Sequence, residues 1–153
     1  MFENKDYLVL ANLRQNARAK LTDISRNTSI PTSTLYDKIK IYESDIIRRF
    51  TLLLNFEALG FNTRVSMLVK CKNKEQFREF IIKHRAVNNV FRVNNGYDFL
   101  IEAVFKQIKH AEDFIEHIDK RFTIESKDVH YIIDDLKREG FLSSPMAFKL
   151  VGL

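Results

Sequence analysis

The chain has one cysteine, no tryptophan and no long apolar run. With Cys71 as its only thiol, the 153-residue chain cannot form an internal disulfide and is compatible with a reducing cytosol. Without tryptophan, a core must rely on its 13 phenylalanines together with isoleucine, leucine and valine. No stretch approaches the roughly 18–20 apolar residues that span a bilayer, and no signal peptide is evident. We therefore expect a soluble, cytoplasmic protein without a membrane partner.

The composition favours a folded, mildly basic protein. Apolar residues make up 45% of the chain, which is enough to build a packed core. The length allows one domain of ordinary size or two small ones. The net charge of +5 suits a nucleic-acid partner without requiring one.

Three short helices are predicted in the first fifty residues. The first follows Asp6, where Tyr7, Leu10, Ala11 and Leu13 recur at helical spacing. The second lies in KLTDISRNT, with Thr22 as its N-cap. A turn before Pro31 separates it from a third helix, Thr32 to Glu43, which Thr32 or Ser33 is expected to cap. In this third helix Leu35, Ile39 and Tyr42 form a buried stripe.

The segment after the third helix, IIRRFTLLLNF, is rich in β-branched and aromatic residues and predicts one or two strands. Three helices followed by a strand pair predict a winged helix-turn-helix whose third helix enters the major groove of double-stranded DNA. Hydroxyls and a phenol can read base edges, and cations can neutralise phosphates. The expected base contacts are Thr32, Ser33, Thr34 and Tyr36, and the expected phosphate contacts are Lys38, Lys40, Arg48 and Arg49.

The polar face of the third helix also has a simpler interpretation. A three-helix domain with a solvated polar face fits the same pattern about as well. Asp37 on that face would repel phosphate, although it can also accept a hydrogen bond from a cytosine amino group. Both interpretations remain open on the pattern alone.

The second half of the chain alternates strands and helices in the order β-α-β-β-α-β, the ferredoxin-like plan. Arg64 to Lys72 predicts a strand, and Asn73 with Gln76 resembles a capping box at the next helix. Asn-Gly at 95–96, between predicted strands Val87–Val93 and Tyr97–Phe105, is a strong hairpin signal. A last strand is expected from Ile124 to Ile133. Residues that recur at helical spacing predict the inner face of each helix. They are Phe77, Phe80, Ile81 and His84 on the first helix, and Ala111, Phe114, Ile115, Ile118 and Phe122 on the second.

Apolar side chains fall on both faces of the predicted sheet. Leu68 and Leu100 point opposite to Met67, Phe99 and Ile101. Because two helices cover only one face, we expect the bare face to be buried by another subunit. The apolar tail PMAFKLVGL is expected to pack on that interface or on a neighbouring chain.

Several strings in this order resemble the Lrp/AsnC, or feast/famine, family of bacteria and archaea. They are Asn16-Ala17-Arg18 at the end of the first helix, Leu35 through Glu43, TLLLNFEALGF, and YDFLIEAVF. The likeness runs from about Asp6 to Leu142. It implies an α+β protein with an N-terminal winged helix-turn-helix at 1–50, a linker strand at 51–63, a ferredoxin-like ligand-response and oligomerisation domain at 64–142, and a tail at 143–153.

The resemblance implies a DNA-binding transcriptional regulator that is not an enzyme and carries no cofactor. Its C-terminal domains would pair through their sheets into a homodimer or higher oligomer. An amino-acid effector would bind near the hairpin that carries Asn95, Gly96 and Asp98. The chain departs from the family at two turns: Glu43-Ser44-Asp45 lacks the usual wing glycine, and Asn95 takes the hairpin position of the usual glycine. Two alternatives stay open, a tetrapyrrole-decarboxylase-like enzyme on the same scaffold and an assembly module that has lost DNA binding.

Other polar residues have a structural interpretation beside a functional one. His110, Asp113 and His117 share a helix flank but lack a fourth metal ligand, so a solvated flank is favoured. His84 and Cys71 are expected to pack in the core. Asp98 can cap the hairpin, pair across a subunit interface or receive the ammonium group of a ligand.

Overall fold

The computed structural model describes residues 3–144, which divide into two compact units. One unit contains the residues up to Leu53 together with those from Leu136 onward, and the other is Leu54–Asp135. The chain therefore returns to its N-terminal unit after the second unit, a grouping that differs from the expected span of 64–142. An ion pair joins the two parts of this unit: the Arg14 guanidinium contacts the carboxylate of Glu139 at 2.9 Å. The apolar tail, which begins at Pro145, lies outside the described residues.

The N-terminal unit contains the three predicted helices: α1 (Asn4–Gln15), α2 (Leu21–Thr28) and α3 (Thr32–Asp45). Its core is a small cluster of apolar side chains to which every helix contributes: Val9, Leu13, Ile24, Ile30, Leu35 and Tyr42. The packing role predicted for Leu35 and Tyr42 is confirmed. The predicted N-cap of α2 is wrong, because Lys20 rather than Thr22 holds that position. In α1 the buried residues are Asp6, Val9, Ala11 and Leu13, whereas Tyr7 and Leu10 are half-buried.

The predicted strand pair after α3 is absent, since residues 46–55 form no strand or helix. Helix α3 continues through Ser44 to Asp45 and so occupies the residues expected to turn the wing, where glycine is missing. A strand also needs a neighbour for its N–H and C=O groups, and this segment finds none within residues 3–144. Its apolar side chains are consequently exposed, with Leu52 the most at 70%.

The second unit has the predicted β-α-β-β-α-β order. After a short 3-10 helix (Glu57–Leu59), its elements are β1 (Thr63–Cys71), α4 (Lys74–Lys83), β2 (Val87–Arg92), β3 (Phe99–Phe105), α5 (Ile108–Arg121) and β4 (Ile124–Tyr131). The four strands form one antiparallel sheet in the order β2-β3-β1-β4. This α+β arrangement confirms the ferredoxin-like plan, with strand ends that differ from the predicted ones by up to two residues.

One face of this sheet carries the core of the second unit. Alternate residues of β1 are buried as predicted, because successive side chains of a strand point to opposite faces. Both helices pack on that face through Phe77 and Ile81 of α4 and through Ala111, Phe114, Ile115 and Ile118 of α5. Phe77 meets Phe122 edge to face, with their ring centroids 5.1 Å apart. The two predicted apolar stripes are therefore confirmed, with Phe80 and His84 at their half-buried edge.

The hairpin between β2 and β3 turns at the predicted residues. Asn95 has a φ of 61° and Gly96 a φ of 93°, the pair of positive values that a tight two-residue hairpin turn requires. Asparagine is one of the few side chains that adopt this region readily, so its replacement of glycine preserves the turn. The predicted capping box at α4 is not formed, because the Asn73 side chain accepts no backbone N–H of the helix and instead donates through its amide N–H to the Gln76 side-chain oxygen at 3.3 Å.

The opposite face of the sheet is apolar in only part of its area. Phe91 of β2, Leu100 of β3 and Leu68 of β1 are register partners and form an apolar row. The next row along is polar, with Glu102 paired with Ser66 and accepting a hydrogen bond from Asn89 at 2.5 Å. Apolar side chains therefore lie on both faces of the sheet, as expected, but on this face they alternate with rows of charged, amide and hydroxyl groups.

No helix within residues 3–144 has both the length and the hydropathy required of a membrane span.

A buried carboxylate joins α1 to α3. The Asp6 carboxylate accepts three hydrogen bonds: from the hydroxyl of Tyr42 at 2.6 Å, from the ammonium of Lys38 at 2.5 Å and from the backbone N–H of Glu3 at 2.8 Å. A buried carboxylate is costly unless it is paired and hydrogen-bonded, and here three donors supply that compensation. Since two of them belong to α3, the network fixes how α3 lies against α1.

Burial and hydrogen bonding act in opposite directions on the pKa of Asp6. Burial raises it, but the bonds from Lys38, Tyr42 and Glu3 outweigh burial and leave the pKa below its ordinary value. The Tyr42 phenol is affected in turn, because burial and the adjacent Asp6 raise its pKa. The stability contributed by Asp6 is therefore present above its unfolded-state pKa and is lost as the pH falls through its lowered folded-state pKa.

We predict that Asp6→Asn destabilises the N-terminal unit by about 1–3 kcal/mol at pH 7, the cost of leaving buried donors poorly satisfied. Urea unfolding followed by circular dichroism measures the loss. The difference in unfolding free energy between wild type and variant should shrink as the pH falls below the ordinary range of an aspartate. The wild-type carboxylate is then protonated and is uncharged, as the asparagine is. Asp37→Asn is the matched control, since Asp37 is exposed on α3. Equal stability of the two variants would contradict the role given to Asp6.

Candidate DNA-binding helix and effector cleft

The N-terminus of α3 is exposed and carries three hydroxyl groups. Thr32, Ser33 and Thr34 occupy its first turn, and all three are exposed. Pro31 is the N-cap and no side chain caps the helix, so the predicted cap by Thr32 or Ser33 is wrong: both residues lie inside the helix. An uncapped first turn offers backbone N–H groups and the positive end of the helix dipole to an anion such as a phosphate.

One turn further along α3, an aromatic ring and a cation lie together on the solvent side. Tyr36 is 52% exposed, and the ammonium of Lys40 lies 4.7 Å from the centre of its ring. This cation–π contact keeps the positive charge beside the phenol. Asp37 is exposed between them along the chain. The structure therefore brings Tyr36 and Lys40 into one polar surface adjoining the three hydroxyls.

The remaining predicted phosphate contacts lie elsewhere. Arg48 and Arg49 are exposed in the irregular segment after α3, and neither forms an ion pair with the described part of the chain. Lys38 is only half exposed, with its ammonium bound to Asp6. It therefore contributes to the attachment of α3 rather than to its free surface.

Sequence reasoning missed the role of Asp6, although a signal for it was present. Asp6 lies three residues before Val9 and seven before Leu13, both of them buried in α1. This spacing places the carboxylate on the apolar stripe of the helix. A charged residue on such a stripe indicates a buried partner, and a lysine and a tyrosine four residues apart on α3 provide it.

Asp98, the predicted effector residue, has both of its carboxylate oxygens occupied. One pairs with the ammonium of Lys74 at the start of α4, and the other accepts the backbone N–H of Cys71 at 3.1 Å. The hydrogen bond from Lys74, with the backbone bond from Cys71, lowers the pKa of Asp98. These bonds tie the end of the hairpin to the β1–α4 connection, which is a structural role.

Asp98 also borders a cleft between α4 and the edge strand β2. The cleft has a volume of about 520 Å³, within the usual range for small-molecule sites. Ile82, Val90 and Phe99 provide its apolar surface, and its polar lining consists of Lys74, Glu75, Arg78, Arg92 and Asp98. Arg92 has no ion-pair partner among residues 3–144. Asn95 and Gly96 lie outside this lining, at the exposed turn.

The histidines and the cysteine have structural positions. His84 packs against Phe114 with ring centroids 4.6 Å apart, and Cys71 is buried, which raises the pKa of its thiol. The expected packing roles of both are confirmed. His110, Asp113 and His117 are all exposed on α5. Within residues 3–144, no group of three or more His, Cys, Asp or Glu side chains is arranged to hold a metal ion.

The chain is similar to a known protein family. The Lrp/AsnC ligand binding domain matches residues 64–141. An uncharacterized HTH-type transcriptional regulator of Pyrococcus abyssi is 25% identical over 142 residues, which cover 91% of this chain and 97% of that protein. HTH-type transcriptional regulator FL11 of the same organism is 28% identical over 74% of this chain and 77% of that protein.

Solved structures share the fold. A transcriptional regulator of Neisseria meningitidis in complex with L-Met matches with a TM-score of 0.83 at 18% identity, over 90% of this chain and 94% of that chain. B. subtilis LrpC matches with a TM-score of 0.81 at 17% identity, over 90% of this chain and 98% of that chain. The relatives are named as transcriptional regulators, which are not enzymes, and the prediction of a non-enzymatic protein is confirmed. Since the matched ligand binding domain covers residues 64–141, this chain belongs to the Lrp/AsnC family of transcriptional regulators.

Proposed function

We propose that this regulator binds double-stranded DNA sequence-specifically, oligomerises through its sheet and responds to a small molecule such as an amino acid. The observation that carries the DNA proposal is the uncapped first turn of α3, which presents three hydroxyls to solvent. Thr32, Ser33, Thr34 and Tyr36 would contact base edges in the major groove. Lys40, Arg48 and Arg49 would neutralise phosphates on either side.

The attachment of α3 supports this role. A helix that reads bases must keep its orientation while the polar groups on its free face stay available. The Asp6 network orients α3 from its inner side, through Lys38 and Tyr42, and uses none of the exposed hydroxyls. We therefore assign Lys38 to positioning α3 and leave it out of the phosphate contacts.

The bare face of the sheet supports the proposed oligomer. Phe91 is 49% exposed there, next to the half-buried Leu100 and Leu68. A second copy placed on this face would remove the apolar row from water, while the adjacent row of Glu102, Ser66 and Asn89 would supply polar contacts. The exposed apolar segment around Leu52 provides further surface of the same kind. Two paired chains would present two copies of α3 to two half-sites of a palindromic operator.

The cleft between α4 and β2 supports an amino-acid effector. The unpaired Arg92 can bind a carboxylate, and Asp98 or Glu75 can receive an ammonium group. Ile82, Val90 and Phe99 would then contact an apolar side chain. The structural bonds of Asp98 leave this possible, because a carboxylate has more acceptor positions than its two present partners use.

We predict that selection from random DNA fragments recovers a preferred site, and that Arg48→Gln with Arg49→Gln weakens its binding uniformly across sequences. The slope of log affinity against log salt should fall by about 2 per chain, because two phosphate contacts are lost. Fluorescence anisotropy at several salt concentrations measures this slope. The control is Arg85→Gln with Lys109→Gln, which removes two exposed charges from the other unit. An equal effect in the control, or the absence of any preferred fragment, would contradict the proposal.

We expect Phe91→Glu to raise the dissociation constant of the oligomer by at least about 10-fold, because a carboxylate would be buried on the apolar row. Light scattering over a dilution series reads the molar mass. Ile108→Glu is the matched control, since Ile108 is 61% exposed on the first turn of α5, away from this face. Unchanged mass for Phe91→Glu at every dilution would remove this face as the interface.

Among the twenty amino acids, we expect at least one with an apolar side chain to bind the full chain saturably in calorimetry. Arg92→Gln should weaken that binding by at least about 10-fold, since the carboxylate loses its charged partner. Arg18→Gln, which removes an exposed arginine outside this cleft, should leave the binding unchanged. Failure of every amino acid to bind at millimolar concentration, or an unchanged affinity of Arg92→Gln, would rule out this cleft.

A further inference from the structure

A second cleft lies on a neighbouring face of α4, against the C-terminal end of α5. Its volume is about 490 Å³, close to that of the effector cleft. The two clefts share no lining residue. The second is lined by Gln76, Glu79, Phe80, Lys83, His84, Arg121 and Phe122.

Arg121 is held in this cleft by aromatic rings. Its guanidinium lies 4.9 Å from the ring centre of Phe80 and 5.6 Å from that of Phe122. Neither Arg121 nor Lys83 forms an ion pair with any described carboxylate. A guanidinium that lies over an aromatic ring keeps its N–H groups free at its edge, and these groups can bind a carboxylate through two hydrogen bonds. The position of Arg121 in the last turn of α5 explains its charge, but it does not explain this aromatic support.

The rings extend beyond the arginine. Phe80 lies beside Phe122, with ring centroids 5.3 Å apart, and beside His84 and His117, each 5.6 Å away. Phe80 is nevertheless only half-buried. Aromatic rings of a ligand pack favourably against such a surface, edge to face or offset.

The charges of the lining indicate a ligand with one negative charge. Arg121 and Lys83 are cationic and Glu79 is anionic. Burial lowers the pKa of His84, and the neighbouring Arg85 and His117 lower it further, so this imidazole is neutral at pH 7. The lining therefore has an excess of one positive charge.

We infer that this cleft binds a small aromatic monocarboxylate, with the carboxylate on Arg121 and Lys83 and the ring on Phe80 and Phe122. The site is separate from the effector cleft and needs neither DNA nor a second copy of the chain. This regulator would then have a second binding site for a small molecule, on the side of its ligand domain that is covered by α4 and α5.

The test is calorimetric titration of the full chain with phenylacetate, with the neutral phenylacetamide as a matched probe. Wild type should bind phenylacetate saturably and bind the amide at least about 10-fold more weakly, because the amide carries no charge for the two cations. Arg121→Gln and Lys83→Gln should each weaken phenylacetate binding by a similar factor. Arg18→Gln, which removes an exposed arginine that lines neither cleft, should bind as wild type does.

Lys83→Gln keeps the test decisive if Arg121→Gln disturbs the packing of Phe80, because Lys83 is exposed and stacks on no ring. A circular dichroism spectrum of each variant reports its folding. Lack of saturable binding by wild type would overturn the inference. Equal binding of phenylacetate and phenylacetamide would do the same, and so would a loss of binding in Arg92→Gln with Lys83→Gln unaffected.

Discussion

The carboxylate of Asp6 determines how the N-terminal unit presents α3. It lies on the inner side of α1 and accepts from two donors on α3, Lys38 and Tyr42. Each partner alone would be poorly placed, since a buried carboxylate without donors and a buried phenol without an acceptor both lose hydration. Together they connect α1 to α3. This connection fixes the orientation of α3 more specifically than the small apolar core around Leu35 does. The free face of α3 and its uncapped first turn depend on this connection for their position.

In the second unit, α4 has an equivalent organising role. Its inner face inserts Phe77 and Ile81 into the core, and two other faces border separate clefts. Each cleft combines aromatic or aliphatic surface with an arginine that no described carboxylate neutralises, Arg92 in one and Arg121 in the other. Unpaired guanidiniums beside apolar surface are suited to small carboxylates. Under the two proposals, a single helix would border both small-molecule sites of the ligand domain.

The accuracy of the sequence predictions followed the range of the interactions involved. The stripe of Phe114 and Ile118 was predictable because helical periodicity places these residues on one face. The Asn95-Gly96 turn was predictable because both residues tolerate positive φ. The strand pair at 46–56 was wrongly predicted, because β propensity describes how side chains fit a sheet and none of the described strands lies beside this segment. Without a glycine at 43–45 to break it, α3 continued instead.

Periodicity and turn chemistry in the sequence alone determined the helices, the order of strands and helices along the second unit and the two buried stripes, since these depend on residues within a few positions of each other. The tertiary structure decided which charged groups meet. The pattern of α3 predicted Lys38 as a phosphate contact, but in the structure Lys38 pairs with Asp6, 32 positions away. Asp98 pairs with Lys74, while neither Arg92 nor Arg121 pairs with a carboxylate of the described residues. Charge pairing depends on distances of a few ångströms between distant parts of the chain, and only packing sets those distances.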